Sequence, residues 1–348
     1  MKKVRCAVVG LGAIGPTHVA AIAALEETEL VAVCDIVAEK ADKFAAQHGC
    51  KAYYDFDTMM QDPDIDLVHV CLPSGMHAEY GVRAAKAGKN VLVEKPIDVT
   101  LEAAQRLVDA CHEAGVVLSC ISQHRFDPDF AKAKAALDAG SFGKPVFGGS
   151  YTKWYRSQQY YDSGDWRGTW ELDGGGALMN QSVHYVDMVQ WLVGEVDEVT
   201  AYTGCLAHER IEVEDCATAI LKFKNGALGT LEGHTVAIPG FQTRLDMYGS
   251  EGSFIIENDK IREWRPKESI AEGGFYGEVS QGDKIEEGDT GAGSAAISGN
   301  SHQRQIQNVA NAILNGTAPA ITGEDAMKPL AVILAVYKSA KEGCSVKL

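Results

Sequence analysis

The sequence lacks the features that would place the chain in a membrane or on a nucleic acid. No uninterrupted apolar run approaches bilayer-spanning length, and the start, MKKVRCAVVGLG, has no apolar segment followed by a small-residue cleavage site. Lysine and arginine number 32 against 48 aspartates and glutamates, which gives a formal charge of −16. Such acidity disfavours nucleic acids and anionic membranes as partners. We therefore expect a cytoplasmic protein that binds neither.

Cysteine patterns that hold metals are also missing. The nine cysteines form no CxxC pair, and no Cys/His cluster has zinc spacing. Most cysteines lie in apolar segments, which favours reduced, buried thiols and no metal site. No internal repeat is present. With 348 residues, of which 46% are hydrophobic, the chain is long enough for two globular domains.

A glycine-rich turn, GLGAIG, lies between a predicted strand, VRCAVVG, and a segment with helical spacing, PTHVAAIAALEE. Gly10 permits a tight turn, Gly12 lets the backbone approach a pyrophosphate, and Gly15 lets helix and strand pack closely. The helix N-terminus offers N–H groups to phosphates, and the carboxylate that ends the next strand can accept both ribose hydroxyls. We predict a dinucleotide site formed by Gly10, Gly12, Ala13, Ile14, Gly15 and Asp35.

The strand–helix alternation continues through the first third of the chain. Apolar runs at 67–73, 90–96 and 116–122 are separated by helical segments near 76–88 and 100–114. This order predicts a doubly wound parallel sheet, whose ligands bind beyond the carboxyl ends of the strands. Around that crevice we expect Asp35, Leu72, Pro73, Ser74, His77, Glu94, Lys95, Pro96 and Gln123.

The pattern changes after residue 123. A predicted helix begins at Asp127 and Pro128, and later segments alternate with period two between tight turns, which predicts a mostly antiparallel sheet. An acidic loop at 265–300 precedes two helical patterns near 302–315 and 323–342. We predict a dinucleotide-binding domain at 1–123 and an α/β domain at 124–348, with the last helices as candidates to pack back on the first domain.

The stretch GGGALMNQSVHY, residues 174–185, carries Asn180 and His184 one helical turn apart. On a helix from about Ala177 the main apolar stripe comprises Leu178, Tyr185, Met188, Val189 and Leu192. A second stripe comprises Asn180, His184, Asp187 and Trp191. The histidine therefore faces away from the main apolar face. Spacing alone leaves two alternatives open: a core histidine with a satisfied ring, or a catalytic base.

Together, GLGAIG with Asp35, EKP at 94–96, WRG at 166–168 and GGG…N…H at 174–184 resemble the Gfo/Idh/MocA oxidoreductase family over the whole chain. The resemblance implies a Rossmann domain followed by an α/β domain with a large open, mostly antiparallel sheet that often forms homodimer or homotetramer interfaces. It implies hydride exchange between a nicotinamide cofactor and a sugar, cyclitol or related hydroxyl compound.

The resemblance also implies roles for individual residues. Glu94 and Lys95 would lie at the nicotinamide ribose and the substrate, and Trp166 and Arg167 would reach the nicotinamide side. His184 matches the family's acid/base histidine. Many members carry aspartate where this chain has asparagine, so the amide would orient a substrate hydroxyl and not relay a proton. The expected substrate-binding residues are His124, Arg125, Tyr155, Asn180 and Gln181.

These expectations define a mechanism and a substrate class. A base with a pKa near 7 suits removal of the hydroxyl proton, and the ammonium of Lys95 would stabilise the developing alkoxide. The aromatic segment 151–170 and the WRGTW motif, which resembles a sugar-oxidising branch, favour a pyranose or glycoside oxidised at C3. A cyclitol dehydrogenase, a redox-elimination glycosidase and a non-catalytic nucleotide sensor remain alternatives.

Two narrower predictions concern the cofactor and the backbone. The cofactor should be NAD, because Asp35 would repel a 2′-phosphate and the next residues, Ile36 and Val37, offer it no cation. The resemblance also predicts a cis Lys95–Pro96 peptide bond, which would direct the lysine into the crevice.

Overall fold

A computed structural model describes residues 2–269 and 299–348. Contacts divide the chain into two compact units. The described part of the first unit comprises 2–126, 170–174 and 299–330, and that of the second comprises 127–169, 175–269 and 331–348. The first boundary falls after Phe126, close to the predicted boundary at 123. Part of the C-terminal region, residues 299–330, belongs to the first unit. No described helix has the length and apolar character needed to cross a membrane.

The strands and helices follow the predicted alternation and then the predicted change of pattern. The strands are β1 (Val4–Val9), β2 (Thr28–Cys34), β3 (Lys51–Tyr53), β4 (Leu67–Val70), β5 (Asn90–Val93), β6 (Leu118–Cys120), β7 (Pro145–Lys153), β8 (Val196–Gly204), β9 (Cys216–Phe223), β10 (Leu228–His234), β11 (Arg244–Gly249), β12 (Ser253–Glu257), β13 (Lys260–Arg265) and β14 (Val346–Lys347). The α-helices are α1 (Gly15–Ala23), α2 (Ala38–His48), α3 (Phe56–Met60), α4 (His77–Lys86), α5 (Leu101–Ala114), α6 (Pro128–Asp138), α7 (Gln158–Tyr161), α8 (Val183–Val193), α9 (Gly299–Asn315) and α10 (Gly323–Glu342).

The first unit is built on a six-stranded sheet in the order β3-β2-β1-β4-β5-β6, with every neighbouring pair parallel. Strands β1, β4 and β5 are almost wholly buried, as their continuous apolar runs indicate for a sheet covered on both faces. The doubly wound parallel sheet is confirmed. Its strand order is that of dinucleotide-binding sheets, with carboxyl ends along a single edge.

Helix α9 completes the core of the first unit although it follows β6 by almost 180 residues. Its apolar side chains Ile306, Val309 and Ala310 are buried in the same cluster as Val8 of β1 and Ile22 of α1. The period-3.6 pattern near 302–315 reflects this apolar face.

The second unit contains an eight-stranded sheet in the order β13-β12-β11-β7-β10-β9-β8-β14. Its neighbouring pairs are antiparallel except β7 and β10, which are parallel. Strand β7, which occupies a central position, was not predicted. Its sequence PVFGGSYTK begins with proline and contains Gly148 and Gly149, residues that are depleted in strands. A Cβ at Gly148 would overlap Val193, so this glycine lets α8 pack closely on the sheet.

The predicted loop at 265–300 lies mostly outside the described residues, since 270–298 are not described. Before this loop, the period-two segment GSFIIE forms β12, and β13 follows it. Both terminal helical patterns are helices, as predicted.

Candidate active site

The glycine turn of the first unit has the geometry that a dinucleotide requires. Gly10 has a φ of 89°, and a Cβ there would overlap the carbonyl of Cys71. A Cβ at Gly15 would overlap the Gly10 carbonyl, so α1 packs tightly against the turn. At Gly12, by contrast, no atom of the described residues, apart from the glycine and its two chain neighbours, lies within 4 Å of the Cβ position. The loop is thus closed on its protein side and open where a pyrophosphate would approach.

Asp35 lies beside this loop at the end of β2. Its Oδ2 accepts a hydrogen bond from Leu11 N at 2.9 Å, and its Oδ1 accepts one from Val37 N at 2.9 Å. These two donors fix the carboxylate at the carboxyl edge of the sheet, where a ribose would lie. The following Ile36 is 90% exposed and offers no cation to a 2′-phosphate. The observed residues fit NAD.

The segment after β4 is held by an internal histidine. Pro73 precedes a short 3₁₀ turn that begins at Ser74. The buried ring of His77 lies 2.8 Å from Leu72 O through Nε2 and 2.7 Å from Pro96 O through Nδ1. Both neighbours are carbonyl acceptors, and a neutral ring donates to one of them at a time while it lies between the ends of β4 and β5. His77 supports the predicted cofactor loop, and both of its nitrogens face main-chain atoms of the same unit.

The EKP motif follows β5 directly, and the Lys95–Pro96 bond is cis, as predicted. The neighbouring Glu94 is buried and points into the first unit. Its Oε1 lies 2.9 Å from His18 Nε2, and its Oε2 accepts a hydrogen bond from Lys95 N at 3.1 Å. Burial alone would raise the pKa of Glu94, but the hydrogen bonds from His18 and His302 outweigh it and hold the pKa well below its usual range.

Gln123, His124 and Arg125 form a half-buried 3₁₀ turn immediately after β6. Gln305 of α9 fixes the edge before this turn, since its Oε1 accepts from Ser122 N at 2.9 Å and its Nε2 donates to Cys120 O at 2.8 Å. The structure therefore places the predicted first-unit residues after β1, β2, β4, β5 and β6, along the carboxyl edge of one sheet.

In the second unit the glycine stretch leads into a π-helical segment, Ala177–Ser182, before α8 begins. We predicted a single helix from about Ala177. At the start of this segment the buried Glu214 accepts hydrogen bonds from Gly176 N and Leu178 N, both at 2.8 Å. Tyr337 adds a third donor at 3.0 Å. Burial raises the pKa of Glu214 to about 7 although these donors oppose the shift.

Asn180 and His184 stand out on this helical stretch because they are half-buried while nearly all of their neighbours are buried. Asp187 of the predicted second stripe is buried, and Trp191 is half-buried. π-Helical turns occur frequently at functional sites. The exposure pattern favours a functional role for this pair over a core role.

Next to Asn180 lies a polar and aromatic cluster that converges on Tyr160. Arg167 Nη1 donates to the Tyr160 hydroxyl at 2.8 Å, and Gln181 Nε2 donates to the same oxygen at 3.0 Å. Gln181 also donates to Asn180 Oδ1 at 3.3 Å. The Arg167 guanidinium lies 4.4 Å from the ring centroid of Tyr160 and 4.5 Å from that of Trp166. Five residues from three separate segments are thus brought into one cluster: Tyr160, Trp166, Arg167, Asn180 and Gln181.

Other residues fit the predictions less directly or were missed. Tyr155 forms an isolated bridge with Val236 and is not among the contacts of Tyr160 described above. Tyr160 lies in the predicted aromatic segment, where nothing distinguished it from its neighbours. Glu214 gave no signal in the sequence, and His18 was detectable only as a polar residue in an otherwise apolar helix.

Comparison with known proteins agrees with this geometry. Residues 4–122 match the model of the oxidoreductase family with an NAD-binding Rossmann fold, and residues 130–255 match the GFO/IDH/MocA C-terminal domain. A myo-inositol 2-dehydrogenase of Thermotoga maritima is 29% identical over 357 positions, covering 99% of this chain and 98% of that protein. YrbE, an uncharacterized oxidoreductase of Bacillus subtilis, is 30% identical over 264 positions, covering 74% of this chain and 75% of that protein.

A solved structure resembles the whole chain. The WlbA dehydrogenase from Bordetella pertussis, crystallised with NADH and UDP-GlcNAcA, has a TM-score of 0.86 and 32% identity, and the match covers 100% of this chain and 99% of that one. The fold, the glycine turn with its aspartate and the family model matched by residues 4–122 agree on NAD as the cofactor. The chain is an NAD-dependent oxidoreductase that belongs to the GFO/IDH/MocA family.

Proposed function

We propose that this enzyme oxidises a ring hydroxyl of a pyranose sugar or glycoside to a ketone, or catalyses the reverse reduction, with C3 as the preferred position. The observation that carries the proposal is the pair Asn180 and His184, half-exposed on a helical stretch that is otherwise almost wholly buried. An imidazole can take the hydroxyl proton in alcohol oxidation, and an amide can bind a substrate hydroxyl. The first unit would hold the cofactor and the second the substrate.

The proposed chemistry assigns one task to each of two side chains. Loss of hydride from a secondary alcohol leaves positive character on carbon unless the hydroxyl proton departs as well. A ring nitrogen of His184 takes that proton, and the ammonium of Lys95 stabilises the developing alkoxide. When bound, NAD supplies the hydride acceptor. For reduction the same imidazole returns the proton.

The cofactor residues are assigned from the sheet edge of the first unit. Gly10, Gly12 and Gly15 shape the pyrophosphate loop, and Asp35 binds the ribose. The assignment is completed by Ala13, Ile14, Leu72, Pro73, Ser74, Lys95 and Gln123, with Trp166 and Arg167 of the second unit on the nicotinamide side. His77 and Glu94 act indirectly, because their polar atoms are already bonded within the unit.

The substrate residues are assigned from the Tyr160 cluster. Its hydroxyl, the guanidinium of Arg167 and the amides of Asn180 and Gln181 offer donors and acceptors beside aromatic faces. Aromatic faces pack on the C–H patches of sugar rings while polar edges bind hydroxyls. Trp166 belongs to the same cluster, and His124, Arg125 and Tyr155 are assigned to the substrate on the sequence argument.

A cyclitol substrate is the second candidate, because the myo-inositol dehydrogenase of Thermotoga maritima aligns with almost the whole chain. A panel of glucosides, uronic acids, UDP-sugars and inositols, incubated with NAD and followed by NADH absorbance, separates the two candidates. We expect turnover with pyranoses, and NMR of the product should place the new carbonyl at C3. Turnover confined to inositols would reject the pyranose assignment. A carbonyl at C1 would reject oxidation at C3 and keep the pyranose assignment.

We also propose a cytoplasmic homo-oligomer that uses the open face of the eight-stranded sheet. Tyr202 of β8 is 77% exposed, Ile220 of β9 is 64% exposed, and Leu228 of β10 is exposed on the adjacent strand. Exposed apolar side chains on neighbouring strands are characteristic of interaction surfaces. Sedimentation of the wild type against Ile220→Lys tests this: a dimer or tetramer that dissociates in the variant supports the interface, and an unchanged oligomer locates it elsewhere.

A further inference from the structure

A buried cluster of three histidines surrounds Glu94 inside the first unit. His18 of α1, His69 of β4 and His302 of α9 have almost no exposed surface. Glu94 Oε1 lies 2.9 Å from His18 Nε2 and 3.6 Å from His302 Nε2. On the far side of His18, its Nδ1 lies 2.9 Å from His69 Nδ1. Four ionisable side chains are thus buried together, and one of them, Glu94, is the first residue of the EKP motif.

For an ionised Glu94 and neutral rings, these contacts permit a single arrangement of protons. A carboxylate only accepts hydrogen bonds, so His18 donates from Nε2 to Glu94. In the neutral ring Nδ1 of His18 is then a lone pair, and His69 must donate to it from its own Nδ1. His69 Nε2 has no partner among the described residues, which is acceptable for a lone pair and costly for an N–H. Burial lowers the pKa of His69 well below its usual value, which agrees with a neutral ring.

A metal ion bound by His18, Glu94 and His302 would need the opposite protonation. Both Nε2 atoms would be lone pairs, so His18 would donate from Nδ1 to His69. His69 Nε2 and His302 Nδ1, which have no partners among the described residues, would then be buried N–H groups without acceptors. Ligating histidines almost always donate their second N–H to a partner. The hydrogen-bond chain therefore fits the geometry better than a metal centre.

We propose that His18, oriented by His69, is a positioning residue that keeps Glu94 ionised and in a single orientation. Glu94 in turn accepts the main-chain N–H of Lys95 at 3.1 Å and thereby fixes the start of the EKP turn. The inference rests on the proposed function in one respect, since it is Lys95 that is expected to act on the alkoxide. Donation runs in one direction, from His69 through His18 to the carboxylate.

The first experiment observes the protons without any turnover. Long-range ¹⁵N–¹H spectra of histidine-labelled protein, assigned with single His→Gln variants, report the tautomer of each ring. We expect the Nδ1–H tautomer at His69 and the Nε2–H tautomer at His18 between pH 6 and 8. A cationic His18 or the reversed tautomers would overturn the proposal, as would stoichiometric zinc in elemental analysis. Because no substrate is used, this result is independent of the proposed function.

The second experiment separates positioning from mere packing. His18→Leu removes the donor to Glu94, whereas His18→Gln keeps an N–H donor for Glu94 and a carbonyl acceptor for His69. We expect kcat to fall about tenfold or more in His18→Leu with KM for NAD little changed, and to recover most of the loss in His18→Gln. His112→Gln, whose side chain is 68% exposed, is the matched control and should leave kcat unchanged. Equal kcat in both His18 variants would overturn the proposal.

The pH profile is a further readout. Among the described residues, the titratable groups around Glu94 are His18, His69 and His302, the thiol of Cys120, which donates to Glu94 O at 3.6 Å, and the thiol of Cys71, whose pKa is raised well above its ordinary value by burial and by the Glu94 charge. Without the His18 donor the carboxylate protonates at higher pH, so the acid limb of kcat should move upward in His18→Leu and stay in place in His18→Gln. If His18→Leu does not fold, His18→Gln and the ring spectra still decide. Full turnover in His184→Ala together with the expected tautomers would reject the proposed chemistry. It would leave the hydrogen-bond chain from His69 through His18 to Glu94 supported.

Discussion

Replacing Glu214 by glutamine should remove a pH-dependent part of the stability of the second unit. Glu214 is 4% exposed and accepts two main-chain N–H groups at the start of the π-helical segment. Burial raises its pKa from 4.5 to about 7 in the folded protein. Between these values the folded state holds a proton that the unfolded chain has released. The unfolded state binds fewer protons, so stability falls as the pH rises through this window.

The size of the effect follows from the shift. Each pKa unit corresponds to about 1.36 kcal/mol, so the wild type should lose about 2.5 kcal/mol of unfolding free energy between pH 5 and pH 8 on account of this carboxyl. Glu214→Gln has no such dependence. Its amide leaves Gly176 N or Leu178 N without an acceptor, which costs about 1–3 kcal/mol. The variant should therefore be the less stable protein at pH 5, and the difference should shift by about 2.5 kcal/mol in its favour by pH 8.

Urea unfolding at pH 5, 6, 7 and 8, followed by tryptophan fluorescence, measures this difference. The signal reports on the second unit, which contains Trp154, Trp166, Trp191 and Trp264, four of the five tryptophans in the chain. Glu209→Gln, whose side chain is 85% exposed in the same unit, serves as the control. A gap between wild type and Glu214→Gln that stays constant from pH 5 to 8 would refute the argument.

Three further predictions concern the active site. Wild-type catalytic efficiency should be higher with NAD than with NADP. In steady-state assays, Asp35→Ser should lower the ratio of kcat/KM with NAD to kcat/KM with NADP about tenfold or more. His184→Ala and Lys95→Ala should each lower kcat on the order of a hundredfold while circular dichroism stays unchanged. Gly12→Ala should keep its Tm and weaken NADH binding in fluorescence titrations, whereas Gly15→Ala should lower Tm because its Cβ would overlap the Gly10 carbonyl.

Each of these predictions has a contrary outcome. Equal catalytic efficiency of the wild type with NAD and NADP would contradict the proposal that Asp35 binds the ribose and repels a 2′-phosphate. Unaltered turnover in a folded His184→Ala variant would make that residue a core histidine after all. Unchanged NADH affinity in Gly12→Ala would show that the open space at this glycine is not where the pyrophosphate approaches.

The sequence predicted best what depends on local periodicity. The continuous apolar runs of β1, β4 and β5 and the glycine turn with Asp35 predicted the parallel sheet and its cofactor because both signals are contiguous in the chain. Strand β7 was missed because Gly148 lacks a Cβ where Val193 of α8 packs on the sheet, and this tertiary requirement overrides strand propensity.

The features that were missed are made by distant residues. His18, His69 and His302 meet Glu94 only after the sheet has formed, so no spacing rule reveals them. The start of the π-helical segment is likewise bound by a distant residue, since Glu214 lies 38 residues after Gly176. Tyr160 became distinguishable only through its contacts with Arg167 and Gln181.

The position of α9 in the first unit has a consequence for biosynthesis. The core around β1 and α1 is closed by Ile306 and Val309, so the sheet completed at Cys120 stays partly uncovered until α9 has been made. At about 5–20 residues per second, translation needs roughly 10–40 s to cover that interval. During this time the nascent sheet exposes apolar surface, which makes it a substrate for holding chaperones and a point of vulnerability to premature termination.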